Sequence, residues 1–251
     1  MKDIILSGCQ GKMGHVLEET IAARTDCRVA AGFDIRTDEQ RAFPVFASPA
    51  ECTVKADAVI DYSHPSALDG LLEYAIVTKT PLVIATTGYS DEQIAKIREA
   101  AEQIPVFFSF NMSLGINLLA ELAKKAAAFL GDQFDIEIVE KHHNRKIDAP
   151  SGTALMLANA INETLDNRNQ YVYDRHSVRR KREKNEIGIH SVRGGTIVGE
   201  HEVIFAGHDE VITLSHSASS REIFAVGSVN AAVFLGNVTE PGLYNMSDLL
   251  G

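Results

Sequence analysis

The sequence predicts an α/β protein: a doubly wound parallel sheet, followed by an α+β domain with a mixed or antiparallel sheet. Two observations predict this fold class. Over roughly the first 110 residues, apolar strand-like runs alternate with helix-spaced segments, a rhythm typical of parallel sheets with helices on both faces. After that point the strand-like runs come close together, which is typical of antiparallel or mixed sheets.

The first domain is predicted over residues 1–113. Its strand-like runs are DIILSG, CRVAAGFD, ADAVIDYS, PLVIATTG and PVFFSF. Its helix-spaced segments include HVLEETIAA and DEQIAKIREAAEQ, the second with Asp91 near its start. Because the strands are short continuous apolar runs, we expect a sheet that is buried on both faces.

The second domain is predicted over residues 114–221. A helix at about 114–130 precedes the long strand FDIEIVEKHH, and another helix at about 152–165 follows it. The later strand-like runs are IGIHSVRG, GEHEVIFAG and EVITLSHSA. The apolar helix REIFAVGSVNAAVFLG marks the start of a last segment, 222–251, which we expect to pack back on the first domain.

Composition limits the classes of protein to consider. The chain has 251 residues, 45% of them hydrophobic, and its formal net charge is −10 from 24 basic and 34 acidic residues. A general nucleic-acid binder has the opposite balance, so an anionic ligand must meet local positive charge. For the basic run RHSVRRKREKNE, at 175–186, we predict a solvated loop, with a nucleic-acid contact as the alternative.

The cysteines and the apolar runs favour a cytoplasmic protein. The cysteines Cys9, Cys27 and Cys52 are odd in number and widely spaced, with no CxxC motif, so neither a disulfide framework nor a zinc ribbon is expected. The apolar part of MKDIILSG is too short for a signal peptide. No apolar run approaches the length of a membrane span.

A glycine-rich turn, GCQGKMG, follows the first strand and opens the first helix. Its glycines Gly8, Gly11 and Gly14 are spaced GxxGxxG. Glycine permits a tight turn and a close approach of the backbone to a pyrophosphate, and the helix N-terminus offers free N–H groups. The strand–turn–helix context predicts a dinucleotide-binding, Rossmann-type domain. An ordinary glycine-rich turn is the alternative.

Charged residues beside this turn bear on the choice of cofactor. The second strand ends in Asp34, where a carboxylate would hold the ribose hydroxyls of NAD. Lys12 and Arg36 could instead hold the 2′-phosphate of NADP, so we expect both cofactors to be used. The segments 61–65, 85–88 and 108–113 also fall at predicted strand ends, where ligands bind in doubly wound sheets, although each could be a plain turn.

The segment EKHHNRKIDAPSGTAL, 140–155, gathers cations before a helix. His142 and His143 end a predicted strand, and Arg145 and Lys146 follow. Residues 150–153, Pro-Ser-Gly-Thr, then form a helix start with an open backbone, which is an anion site by itself. This combination predicts a dicarboxylate site. Metal binding by the histidines is the alternative, but no HExxH-type spacing supports it.

The sequence resembles the 4-hydroxy-tetrahydrodipicolinate reductase family, also called dihydrodipicolinate reductases. The resemblance is carried by segment 140–155 together with GCQGKMG, ATTG, GEHEVIF and LSHSASSREIFAVGSV. The likeness runs over essentially the whole chain, and the HHxxKxDAPSGTA block is highly specific. It implies NAD(P)H-dependent reduction of 4-hydroxy-tetrahydrodipicolinate to tetrahydrodipicolinate in the diaminopimelate branch of lysine biosynthesis. It also implies a homotetramer built through the sheet of the second domain, and inhibition by pyridine-2,6-dicarboxylate.

The resemblance and the patterns above together define the predicted site, which contains no metal. The resemblance implies that one of two residues, His142 or Lys146, protonates the ring after hydride transfer from NADH or NADPH. The predicted substrate-binding residues are His143, Lys146, Ser151, Gly152 and Thr153. The predicted cofactor-binding residues are Gly8, Gln10, Gly11, Lys12, Met13, Gly14, Asp34, Arg36, Thr86, Thr87, Gly88, Ser109 and Met112.

Two rival functions remain open at this point. Another Rossmann oxidoreductase, such as a semialdehyde or amino-acid dehydrogenase, is the first, although the cysteines lack the setting of a nucleophile. A redox sensor that holds NAD(P) without turnover is the second, although the HHxxK motif argues against it, since a sensor needs no proton relay. No nucleic-acid or membrane partner is expected.

Overall fold

Seven parallel strands form the sheet of one compact unit, Met1–Leu114 with Glu222–Gly251. The computed structural model describes residues 1–38, 40–109 and 111–250. The strands of this unit are β1 (Lys2–Ser7), β2 (Cys27–Phe33), β3 (Val45–Phe46), β4 (Ala58–Asp61), β5 (Leu82–Ile84), β6 (Pro105–Phe108) and β12 (Gly242–Tyr244). Their order across the sheet is β12-β6-β5-β4-β1-β2-β3.

Helices cover both faces of this sheet. They are α1 (Lys12–Ala22), α2 (Leu68–Thr78), α3 (Asp91–Ala101), α6 (Glu222–Leu235) and α7 (Met246–Leu250). Ile4 of β1 joins one apolar core with Leu17 of α1 and Val229 of α6, whereas the neighbouring Ile5 joins the opposite core with Leu71 of α2. Successive strand residues point to opposite faces, so the predicted doubly wound sheet is confirmed.

A mixed sheet forms the second unit, Gly115–Arg221. Its strands are β7 (Asp135–His142), β8 (Gln170–Val172), β9 (Glu186–Arg193), β10 (Gly199–Ala206) and β11 (Val211–Ala218), in the order β11-β10-β7-β9-β8. Strand β10 is antiparallel to both of its neighbours, and the other pairs are parallel. Helices α4 (Leu114–Leu130) and α5 (Gly152–Thr164) pack on one face. The predicted mixed α+β architecture is confirmed.

Short strands and strand ends differ from the sequence pattern. Strands β3, β8 and β12 have only two or three residues each, too few for a recognisable period. The strand that was predicted to include His143 ends at His142, and the N–H of Lys146 donates to the carbonyl of His143 over 3.1 Å. The turn therefore begins at His143, one residue earlier than the sequence pattern predicted. Among the described residues, no helix combines the length and apolar character that a membrane span needs.

The basic run 175–186 is paired with acids of the second unit. The Glu186 side chain, 2% exposed, lies 2.8 Å from a guanidinium nitrogen of Arg175 and 2.7 Å from one of Arg180. Arg182 contacts Asp135 over 2.9 Å and Glu137 over 3.0 Å. The run is an irregular loop that is exposed over most of its length, as predicted, and these arginines also pair with carboxylates of β7 and β9.

Candidate active site

The glycine turn of the first unit has the geometry that a pyrophosphate needs. Gly8 has a φ of +79°, and a Cβ there would lie 2.6 Å from the Tyr62 carbonyl oxygen. A Cβ on Gly14 would lie 2.3 Å from the Cys9 carbonyl oxygen. Only glycine fits at either position. Gly11 is the N-cap of α1 and provides no side-chain acceptor, which leaves the first-turn N–H groups to an anionic ligand.

A cavity of about 550 Å³ opens beside this turn and runs along the ends of β1, β2 and β4. Its lining includes Gly8, Gly11, Asp34, Arg36 and Ser63. The volume is in the range of small-molecule sites. The bare glycine turn, the cavity and a carboxylate at the end of β2 together fit a dinucleotide.

Asp34 and Arg36 come together at this cavity, as the sequence predicted. The carboxylate of Asp34 accepts the N–H of Gln10 over 2.9 Å and the N–H of Arg36 over 3.0 Å. The guanidinium of Arg36 donates to the Gln10 carbonyl over 2.6 Å and remains 55% exposed. Contacts of Asp34 with a ribose and of Arg36 with a 2′-phosphate stay predictions.

The remaining side chains of the predicted turn are divided between surface and core. Lys12 is exposed, whereas Met13 packs against the apolar core. The buried Gln10 side chain accepts from Arg41, which also donates to the Cys9 carbonyl. No motif in the sequence predicted these contacts of Arg41 with the glycine turn.

A buried carboxylate organises the turns after β4 and β5. Asp61, 1% exposed, accepts from the hydroxyls of Ser63 (2.6 Å), Thr86 (2.7 Å) and Tyr89 (3.1 Å). The hydroxyl of Thr86 thus serves Asp61, while Thr87 and Gly88 are exposed. Asp61 lies in the predicted strand-end segment 61–65 but was not among the predicted site residues; its signal in the sequence is an acid at the end of a buried strand.

The segment after β6 is packed into the first unit. Ser109 donates its hydroxyl to the carbonyl of Asn111 over 3.0 Å, and Met112 is 3% exposed in the apolar core. Phe110, within the predicted segment 108–113, lies outside the described residues. Contacts of Ser109 and Met112 with a cofactor therefore stay predictions.

In the second unit, the predicted catalytic residue His142 lies on the face of β7 that packs against the helices. Ile136 and Ile138 belong to the apolar core, and Glu140 and His142 continue the same face. The Nδ1 atom of His142 lies 2.6 Å from a carboxylate oxygen of Glu140. The period of the strand therefore places a buried acid directly behind the predicted catalytic histidine. Glu140 was not among the predicted site residues, and its signal in the sequence is an acid at an inward-facing strand position.

At the start of α5, the Ser151 side chain caps the helix, whereas Gly152 leaves free space beside the backbone. Ser151, 2% exposed, accepts the N–H of Ala154 over 3.1 Å and lies 3.0 Å from Nε2 of His201. Its hydroxyl therefore caps the helix. A Cβ on Gly152 would meet no described atom within 4 Å, so the helix N-terminus can approach a ligand closely.

Cationic groups gather at the turn between β7 and α5. Burial lowers the pKa of His143, and the positive charges of Arg145 and Arg221 lower it further. Lys146 pairs with Asp148 over 2.9 Å and is 21% exposed. Arg221 was not among the predicted site residues, although it lies in the LSHSASSREIFAVGSV segment. Local positive charge is therefore present where the sequence predicted a dicarboxylate.

Two family models together cover nearly the whole chain. One, described as dihydrodipicolinate reductase, N-terminus, matches residues 2–112, and the other, dihydrodipicolinate reductase, C-terminus, matches residues 115–250. The chain belongs to the dihydrodipicolinate reductase family. Family membership confirms the predicted oxidoreductase class and the predicted nicotinamide cofactor, NADH or NADPH.

Individual family members are similar over their whole length. The 4-hydroxy-tetrahydrodipicolinate reductase of Caldanaerobacter subterraneus subsp. tengcongensis is 53% identical over 247 residues, which cover 98% of this chain and 97% of the relative. That of Clostridium botulinum, strain Eklund 17B, is 49% identical over 251 residues, or 100% and 99% of the two chains. The predicted family resemblance is confirmed.

Solved structures agree with this assignment. A dipicolinate-bound dihydrodipicolinate reductase from Paenisporosarcina sp. TG-14 has a TM-score of 0.80 and 26% identity, with 98% and 97% of the chains covered. A myo-inositol dehydrogenase from Corynebacterium glutamicum has a TM-score of 0.60 and 16% identity, with 100% and 92% covered. The second likeness shows a shared dehydrogenase fold alone.

Proposed function

We propose that this chain reduces 4-hydroxy-tetrahydrodipicolinate to tetrahydrodipicolinate with NADH or NADPH. The observation that carries the proposal is the group of donors in the second unit: His143 and Lys146 precede an α5 N-terminus that is open at Gly152. Such donors suit the two carboxylates of a small ring. The reductase names of the relatives support the same substrate.

The residues of the chain bind the ring and move a proton. The nicotinamide, when bound, supplies the hydride for ring carbon C4, from which the hydroxyl has left as water. His143, Lys146, Thr153 and the first-turn N–H groups of α5 hold the carboxylates, so that the ring stays in one orientation. His142 or Lys146 then donates a proton to the ring, where negative charge has developed.

The direct test follows NAD(P)H oxidation at 340 nm with the freshly generated upstream product. We expect turnover with both cofactors, and competitive inhibition by pyridine-2,6-dicarboxylate. Binding of NADH without oxidation in the presence of this substrate would contradict the proposal and favour a sensor. Oxidation with another carbonyl or imine substrate alone would favour a different reductase.

Two substitutions test the site. His142→Gln should lower kcat more than tenfold and leave NADH binding unchanged; a kcat within about threefold, or about 0.65 kcal/mol, would contradict the catalytic role. Lys146→Ala should raise KM for the substrate and lower kcat, and an unchanged KM would remove it from the substrate site. Lys181→Ala, an exposed lysine of the same unit, is the control and should match the wild type.

We also propose a cytoplasmic homotetramer, assembled through the sheet of the second unit. Val192 of β9 and Val211 of β11 are 45% and 62% exposed there, and β11 is an edge strand, a feature that proteins usually cover. Light scattering after size exclusion should give four times the 27.3 kDa chain mass. A monomer at micromolar concentration contradicts this assembly.

A further inference from the structure

Glu140 is a fully buried acid whose carboxylate is surrounded by donors. Its side chain has 0% exposure. Arg193 of β9 donates to both carboxylate oxygens, over 2.8 and 2.6 Å, and the backbone N–H of Ser151 donates over 3.1 Å. His142 lies against the same carboxylate at 2.6 Å. Burial of a charge is costly unless such partners compensate for it.

The donors decide the charge of Glu140. Desolvation by burial raises its pKa, but hydrogen bonds from Arg193, Ser191 and His142 outweigh burial and lower the pKa to about 2. Glu140 is therefore an ionised carboxylate near neutral pH and can only accept hydrogen bonds. The Nδ1 atom of His142 must then carry the proton of that contact, which leaves Nε2 as the nitrogen for proton exchange.

We propose that Glu140 is a positioning residue of the reaction, which holds His142 as the Nδ1–H tautomer with Nε2 directed to the substrate. The inference rests on the proposed function for the role of His142. Glu140 also ties the ring to the substrate-binding helix, because the N–H that it accepts belongs to Ser151, the N-cap of α5. Arg193, which donates to Glu140, also donates to the Asp148 carbonyl over 2.7 Å and so links Glu140 to the turn before α5.

Charged and titratable groups from every neighbouring element contribute to the electrostatics of His142. Glu140 lies on its own strand, Arg193 on β9, His201 on β10 with a ring centroid 5.2 Å away, and His143 and Lys146 in the turn; beyond His201 lies His216 of β11. Asp148 of the same turn is paired with Lys146, so Glu140 is the anion that contacts the ring directly. Its removal should therefore disfavour the protonated ring.

A second cluster on the same strand provides a matched control. Glu137 faces the opposite side of the sheet and lies 2.7 Å from Nε2 of His190, 2.6 Å from Arg175 and 3.0 Å from Arg182. It repeats the combination of acid, histidine and arginine without touching His142. Glu137→Gln thus removes a partly buried carboxylate of the same strand and should leave the reaction unchanged.

Glu140→Gln keeps the shape of the side chain and removes its charge. We expect kcat to fall at least thirtyfold, KM for NADH to stay within twofold, and the alkaline decline of kcat to begin at a lower pH. Glu137→Gln should keep kcat within twofold and the profile unmoved. A Glu140→Gln enzyme with kcat within threefold and an unshifted profile would overturn the proposal.

Two further measurements cover a variant that fails to fold. Glu140→Gln with Arg193→Met removes both charges of the pair, and the folded double variant should keep the loss of kcat. Wild-type turnover would overturn the inference. In the unmodified protein, ¹⁵N NMR of neutral His142, assigned with His142→Gln, should show the Nδ1–H tautomer. An Nε2–H tautomer in this spectrum would exclude the role of Glu140. If the spectrum shows the Nδ1–H tautomer but the protein does not turn over the substrate, only the proposed function is contradicted.

Discussion

At the scale of single residues, Gly199 controls the space beside the predicted proton donor. A Cβ on this residue would lie 3.1 Å from Nε2 of His142, closer than ordinary van der Waals contact. The absence of a side chain at the start of β10 therefore leaves that nitrogen approachable.

Gly199→Ala should lower kcat about tenfold, because the new methyl group crowds Nε2 of His142. Steady-state kinetics with saturating NADH would measure the loss, and the cofactor KM should not change. Gly194→Ala is the control, since a Cβ there meets no described atom within 4 Å. Equal kcat values for the two variants would show that Nε2 is not approached from this side.

Arg36 should govern the balance between the two cofactors. In the wild type, we expect the kcat/KM values for NADH and NADPH to differ by less than about a hundredfold, about 2.7 kcal/mol. Arg36→Ala should lower kcat/KM about tenfold for NADPH and less than threefold for NADH, because Asp34 still serves the ribose. Arg28→Ala, whose guanidinium pairs with Asp3, is the control. Equal losses for both cofactors would contradict a role in holding the 2′-phosphate.

At the scale of elements, α6 packs unusually close to the segment after β6. A Cβ on Gly227 would lie 1.7 Å from the carbonyl oxygen of Met112. Helix and backbone can touch at this point only because residue 227 has no side chain. The contact joins the C-terminal segment to the sheet that carries the glycine turn.

Gly227→Ala should destabilise the protein by about 2 kcal/mol or more. Alanine gains about 1 kcal/mol in helix propensity, but the clash with a backbone carbonyl typically costs more. Thermal unfolding should show a decrease of about 4–8 °C in Tm. Gly70→Ala in α2 has open space around its Cβ, and its Tm should stay equal or rise. A stable Gly227→Ala variant would contradict the close packing of α6.

At the scale of the whole molecule, the second unit depends on buried groups with altered protonation. Burial lowers the pKa of His201 to about 4, with the charges of His142, His216 and Lys146 adding to the shift and Glu140 opposing it. Hydrogen bonds lower the pKa of Glu140 to about 2 despite burial. In both cases the unfolded chain binds protons at a higher pH than the folded chain does.

The free energy of unfolding should therefore fall as the pH falls. The contribution of His201 is complete above about pH 6.5 and is lost towards pH 4, and that of Glu140 is lost from about pH 4.5 towards pH 2. Each proton corresponds to about 1.4 kcal/mol per pH unit. Urea unfolding at several pH values should show a flatter slope between pH 6.5 and 4 for His201→Gln. The exposed His208→Gln is the control, and equal slopes would contradict the prediction for His201.

The sequence predicted most of the fold because the signals are local. The apolar runs and helical spacing identified the main elements of both sheets, and the glycine spacing identified the cofactor turn. Short strands such as β3 and β12 have no period of their own and form only because a neighbouring strand offers its edge. The pairing of Arg182 with Asp135 and Glu137 of β7 was likewise absent from the local pattern.

The sequence by itself predicted the candidate sites wherever their residues are neighbours along the chain, as in GCQGKMG and HHNRKIDAPSGT. Three-dimensional packing alone decided how Glu140 and His201 come to contact His142, and how Arg193 and Ser151 come to contact Glu140, because these residues lie on three strands and a helix start. Whether an acid is ionised, and which nitrogen of a ring it leaves to react, depends on desolvation and on partners far away in sequence. Such quantities exist only after the chain has folded.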